Sequence, residues 1–143
     1  MKKSAIICLG NRYVAGDDVG CRIFDHLLSR IATPSTVDVI EGGLCGLDLL
    51  RLMEGRSRVV FADALMGMAE TGEIVTLDRE RVAVLAVNYG HSSGLPYLLH
   101  MYPQVCQPPL AEVALVGAEG AVDEAMLSAL AERCMEVAIN GLP

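Results

Sequence analysis

Four side chains in this sequence have the type and placement to hold a cation or move a proton: Asp17, Asp18, Asp63 and His91. Asp17 and Asp18 are adjacent, inside the stretch GNRYVAGDDVG that runs from Gly10 to Gly20. Neighbouring carboxylates repel one another, and a bound cation relieves that repulsion. Asp63 follows the apolar run Val59-Val60-Phe61-Ala62. A carboxylate in that position is costly to desolvate unless it is paired or metal-bound. His91 stands between Gly90 and Ser92-Ser93-Gly94, on the kind of loop that carries function on a rigid scaffold. Asp17, Asp63 and His91 together form a set of two carboxylates and one imidazole. Three protein ligands leave positions open for water or a substrate atom. Oxygen and imidazole donors suit zinc, nickel or manganese and do not choose among them. One aspartate of the adjacent pair is expected to cap the helix that starts there, leaving the other for the cation.

Other chemistries lack their signatures. There is no H-E-x-x-H helix, no G-x-S-x-G elbow and no phosphate-binding G-x-x-x-x-G-K-[ST] loop. His26 and His100 fall inside amphipathic stretches and read as surface or capping residues. The five cysteines, Cys8, Cys21, Cys45, Cys106 and Cys134, are odd in number, and no two form C-x-x-C. They read as small buried hydrophobes in a reducing cytoplasm, with no disulfide framework or structural zinc.

These residues need elements to position them. Ser4 to Leu9 is a continuous apolar run closed by Gly10-Asn11, which predicts a buried strand. Val19, Ile23, Phe24, Leu27, Leu28 and Ile31 follow helical spacing, ended by Thr33-Pro34-Ser35. Val37 to Ile40 is a second strand, closed by Glu41-Gly42-Gly43. Leu44, Leu47, Leu50 and Met53 mark a second helix, and Arg58 to Ala64 a third strand. Glu73 to Leu77 alternates polar and apolar residues, as a half-exposed edge strand does. Residues 81–88 fit more than one element. Gly94 to Tyr102 predicts a helix with Pro96 in its first turn. Glu112 to Gly117 is the last strand, and Val122 to Val137 stripe a C-terminal helix. Apolar strands alternating with helices predict an α/β fold, a three-layer α/β/α sandwich on a mainly parallel twisted sheet of about five strands. In such a sheet, sites gather at the carboxyl ends of the strands. Asn11, Asp17, Asp18, Glu41, Asp63 and Glu119 all fall there.

The chain's 143 residues are expected to form one domain, 1–143. Hydrophobic residues make up 52% of it with no tryptophan, so the core must be aliphatic. A net charge of −7 argues against a nucleic-acid or membrane-surface partner. The opening MKKSAIICLG has a signal-like start, but its apolar part is too short and it reads as a first strand. No apolar run reaches the roughly 18 residues of a membrane span.

Five blocks, CLGNRYVAGDDVGCRI, VIEGGLCGLDLL, VVFADAL, HSSGLPYLL and VALVGAE, occur in the order seen in the hydrogenase maturation endopeptidases, and the chain resembles that family from about Ile6 to Gly117. The resemblance implies an endopeptidase that removes the C-terminal extension of a nickel-iron hydrogenase large-subunit precursor after nickel insertion. It implies a cytoplasmic monomer whose partner is that precursor. It places a metal site on an acidic residue after the first strand, an aspartate after the third and a histidine before the next helix. Here these are Asp17, Asp63 and His91, with nickel supplied by the substrate subunit and zinc or cadmium able to occupy the site in isolation. The family usually reads G-D-D-G before the helix, whereas this chain reads Gly16-Asp17-Asp18-Val19, so Asp18 is an alternative ligand or a proton-handling residue. Leu65, Met66 and Met68 are the expected apolar grip on a protein substrate. The rival readings are a phospho-acceptor receiver-like module and a non-catalytic metal-binding module of similar fold. The receiver reading is weakened because no lysine follows the last strand, where VGAEG stands.

Overall fold

The computed structural model describes residues 2–85 and 94–143. Five strands form one sheet: β1 (Ser4–Leu9), β2 (Val37–Gly43), β3 (Arg58–Leu65), β4 (Ile74–Asp78) and β5 (Glu112–Glu119). Their order across the sheet is β2-β1-β3-β5-β4, parallel except for β4, which runs antiparallel to β5 at the edge. The helices are α1 (Val19–Arg30), α2 (Leu50–Met53, entered through a 3-10 turn at Leu47–Leu49), α3 (Arg79–Leu85), α4 (Gly94–Val105) and α5 (Glu124–Asn140).

Alternation along the central strands sorts the core into two layers. Ile6, Cys8, Val60, Ala62, Ala114 and Val116 point to one face and pack under α1 and α5. Ala5, Ile7, Leu9, Val59, Phe61 and Leu115 point to the other, under α2, α3 and α4. Both faces of the sheet are covered, so the inner strands are apolar along nearly their whole length. This is the expected α/β/α sandwich.

Several boundaries differ from the sequence expectation. β2 runs on through Glu41-Gly42-Gly43, with a register shift opposite Cys8 and Leu9. The second helix is a single turn with a 3-10 lead-in, and Leu44 lies outside it, exposed. The open stretch after β4 becomes α3, whose first turn is fastened by the Arg81 N–H donating to Asp78 Oδ1 at 2.7 Å. Among the described residues no helix is long and apolar enough to cross a membrane.

The connectivity locates the site. From β1 the chain passes to β2 on one side, then returns to β3 on the other side of β1. The carboxyl ends of β1 and β3 therefore flank the switch point of the sheet, where an open α/β fold leaves a crevice.

Candidate functional site

Asp63 lies two residues before the end of β3, within the strand rather than after it, paired in register with Gly117 of β5. Strand alternation puts it on the face shared by Phe61 and Leu65. Its Oδ1 accepts a hydrogen bond from the N–H of Ala64 at 2.8 Å. That bond does not offset its surroundings. Burial pushes the Asp63 carboxyl from its ordinary 3.8 up to about 7, and the charge of Asp17 pushes the same way. The charge of Asp17, on the loop after β1, is thus felt by Asp63 at the end of β3.

Asp17 reaches this position on a folded loop. The Asn11 N–H donates to the Asp17 carbonyl at 2.8 Å, closing the loop at its base, and the Asp17 N–H donates to the Val14 carbonyl at 3.0 Å. Asn11 Oδ1 accepts the Tyr13 N–H at 3.0 Å. Arg12 ties the loop down from outside, with Nη1 on Asp25 Oδ2 of α1 at 2.7 Å and Nη2 on Glu41 of β2. Two glycines permit the close approach. A Cβ on Gly10, whose φ is +142°, would sit 2.3 Å from the Asp17 carbonyl oxygen. A Cβ on Gly20 would sit 1.8 Å from the Leu9 carbonyl oxygen and 2.8 Å from that of Ala62, so α1 begins directly over the ends of β1 and β3.

Asp18 takes the N-cap position of α1, but its side chain makes no capping hydrogen bond. Its carbonyl accepts the Arg22 N–H instead. The expected division of the pair into one cap and one ligand is therefore corrected: neither carboxylate caps the helix. Its φ of −100° and ψ of 4° lie outside the extended region from which a cap side chain folds back onto the helix. His91 lies outside the described residues. Among those described, no three His, Cys, Asp or Glu side chains gather as a metal-binding group.

The chemistry of the pair still fits a cation. Asp63 is partly buried, faces a like charge, and neither it nor Asp17 has an ion-pair partner among the described residues. A divalent ion would remove both penalties at once. Cys45, the cysteine that feels the Asp63 charge, does not compete as a nucleophile. Burial, then Asp63 and Asp48, push its thiol up to about 12, leaving it neutral near pH 7. Burial likewise raises Cys8, Cys21, Cys106 and Cys134, and all five thiols are free.

Sequence reading placed Glu119 at this edge without a task. Its Oε1 accepts the N–H groups of Met68 at 2.8 Å and Ala69 at 3.1 Å, holding the loop after β3. Burial alone would raise its carboxyl, but hydrogen bonds from Gly67, Met68 and Ala69 outweigh that and lower it. Arg12 was missed altogether, since its partners lie 13 and 29 residues away. Of the expected grip residues, Leu65 and Met68 pack into the core and Met66 stands out in solvent.

A family model described as hydrogenase maturation protease (HycI) matches residues 21–140 of the chain, which includes Asp63 and His91 and begins just beyond the acidic pair. The chain is 30% identical over 97 residues to the Hydrogenase 2 maturation protease of Escherichia coli K12, an alignment covering 66% of this chain and 59% of that protein's length. The fold is similar to the hydrogenase maturating endopeptidase HybD from E. coli, with a TM-score of 0.73 and 25% identity over 95% of this chain and 88% of that one. It is also similar to the solution structure of the endopeptidase HycI from E. coli, with a TM-score of 0.70 and 19% identity over 99% of this chain and 94% of that one.

Proposed function

The chain belongs to the hydrogenase maturation proteases, and from that premise we propose that it removes the C-terminal extension of a nickel-iron hydrogenase large-subunit precursor once nickel is in place. The carboxylate pair carries this reading. Asp63 at the end of β3 feels the charge of Asp17 from the loop after β1, and neither has an ion-pair partner among the described residues, which supports a site for a metal-bearing substrate.

In this reading nickel arrives with the precursor, held between Asp17, Asp63 and His91. Nickel in that position supplies Lewis acidity and fixes the scissile segment. Zinc or cadmium suits the same donors when the protein is alone. The protein's own part is to present two carboxylates from a rigid edge. Asp63 is held by the sheet and Asp17 by the Asn11 and Arg12 bonds. Asp18, whose side chain makes no cap bond to the helix, takes or gives the proton in this reading. Working as a cytoplasmic monomer completes the reading.

The test is the mass of the precursor's C-terminus after incubation with the protein. Nickel-loaded precursor should be shortened, and nickel-free precursor should stay full length. If loaded precursor also stays full length, the processing reading fails for that subunit. A phospho-acceptor would instead gain phosphate on Asp63 from a small phosphodonor.

A further inference from the structure

Among the described residues nine large apolar side chains are well exposed, and five of them share one edge of the molecule. Tyr13 and Val14 follow β1, Leu44 and Leu47 follow β2, and Met66 follows β3. Tyr13 is 93% exposed, Met66 79% and Leu44 71%. The other four, Leu28, Val84, Val105 and Ile139, belong to four different helices. Single exposed hydrophobes need no explanation, but five on the loops of one edge mark a surface that meets a partner.

The loops after β1 and β3 are fastened by polar bonds. Asn11 Oδ1 holds the Tyr13 N–H, Arg12 bridges Asp25 and Glu41, and Glu119 grips the N–H groups of Met68 and Ala69. Tyr13, Val14 and Met66 are thus presented outward on fastened loops, which lowers the entropic cost of docking. The same edge carries Asp17 and Asp63, which have no ion-pair partner among the described residues.

A complementary surface is therefore apolar at its border and positive at its centre. A second copy of this chain fails that requirement. Edge-to-edge pairing would set the same carboxylates against each other in a protein of net charge −7. A precursor that brings its own metal ion meets it.

We propose that Tyr13, Val14, Leu44, Leu47 and Met66 form a docking rim that grips the folded surface of the large-subunit precursor around the cation presented to Asp17 and Asp63. This rests on the processing function above and adds where the substrate is held. The rim acts on binding and leaves the chemical step to the carboxylates.

The experiment compares wild-type protein, the double variant Tyr13→Ser/Met66→Ser, the conservative pair Tyr13→Phe/Met66→Leu, and Asp63→Asn on nickel-loaded precursor. The serine variant should raise KM about 10-fold or more while kcat changes less than about 2-fold. Its thermal melt should match wild type, and the conservative pair should restore KM. Asp63→Asn should lose kcat. An unchanged KM in the serine variant, beside an inactive Asp63→Asn, overturns the rim and leaves the processing function standing. A loss of kcat at unchanged KM also overturns it. No cleavage by the wild type overturns both. A wild-type dimer in sedimentation that the serine variant breaks assigns the edge to self-association and overturns the choice of partner.

Discussion

The two ends of the parallel sheet treat buried charge in opposite ways. At the amino end, Arg56 is almost wholly buried, and its Nε and Nη1 are hydrogen-bonded. Its guanidinium donates to the Leu52 carbonyl, to the Lys2 carbonyl at 2.9 Å and to Asp38 Oδ2 at 2.7 Å. The Arg56 hydrogen bond holds Asp38 below the usual carboxylate range, against some burial and with help from Lys2. At the carboxyl end, Asp63 is driven up to about 7 by burial, with Asp17 adding to the penalty. The Arg56–Asp38 pair resolves its charge within the chain. The carboxyl end leaves a cost that a ligand can remove, which is the mark of a site rather than of a scaffold.

The largest test of that contrast is Asp63→Asn. A folded-state carboxyl raised from 3.8 to about 7 corresponds to about 4 kcal/mol by linkage. The folded protein binds this proton more tightly than the unfolded chain. The associated stability is therefore present below 3.8 and lost as pH rises through about 7. Urea unfolding of metal-free wild type should show stability falling from pH 5 to pH 8, and Asp63→Asn should flatten that slope and be the more stable at pH 8. Processing should fall about 100-fold or more in the same variant. Parallel pH slopes in the two proteins break the contrast at its strongest point.

Arg56→Met should do the reverse. Removing one partner of a buried pair strands the other charge and several carbonyls, and Asp38 keeps some solvent, so the expected loss is about 3 kcal/mol. Turnover of the protein that remains folded should not change. Asp38 is depressed in the folded state, so its contribution holds above 3.8 and is lost as pH falls through its lowered folded-state value. The Arg56→Met penalty should therefore shrink at pH 3 relative to pH 6 in the same urea experiment. A penalty that does not depend on pH would leave only packing at the amino end.

The sequence shows these ends unequally. Apolar runs such as Ser4 to Leu9 and Val59 to Ala62 reveal the strands because burial on both faces demands them. Asp63 stands out because a charge next to such a run breaks the pattern. Arg56 looks like any loop arginine, since its acid partner is 18 residues away and meets it only after β1, β2 and β3 assemble. Leu44 fits helical spacing with Leu47, yet the turn starts only at Leu47, so periodicity overextended that element. The cap expected from one of Asp17 and Asp18 failed because residue type marks where a cap can form, while backbone geometry decides whether it does. The exposure of Tyr13 had one signal available: an aromatic residue in a loop where no periodic partner could bury it.

Glu119 offers the smallest and sharpest test, because it belongs to the carboxyl end yet behaves like Asp38. It lies opposite Leu65 in the β3–β5 register, two positions on from the Asp63–Gly117 pair. Three backbone N–H groups hold its carboxyl below the ordinary 4.5 despite burial, whereas Asp63 receives only one. Partner supply rather than position along the strand then separates a structural carboxylate from a functional one. Glu119→Gln should cost about 1 kcal/mol at pH 7, since a neutral amide oxygen accepts those bonds less strongly and the site is partly solvated. Loosening the loop that carries Met66 should raise KM for loaded precursor and leave kcat in place. If Glu119→Gln instead stabilises the protein at pH 8, as Asp63→Asn is expected to do, the strain belongs to the whole carboxyl edge, and Asp63 loses its claim to be the residue that the metal-bearing substrate relieves.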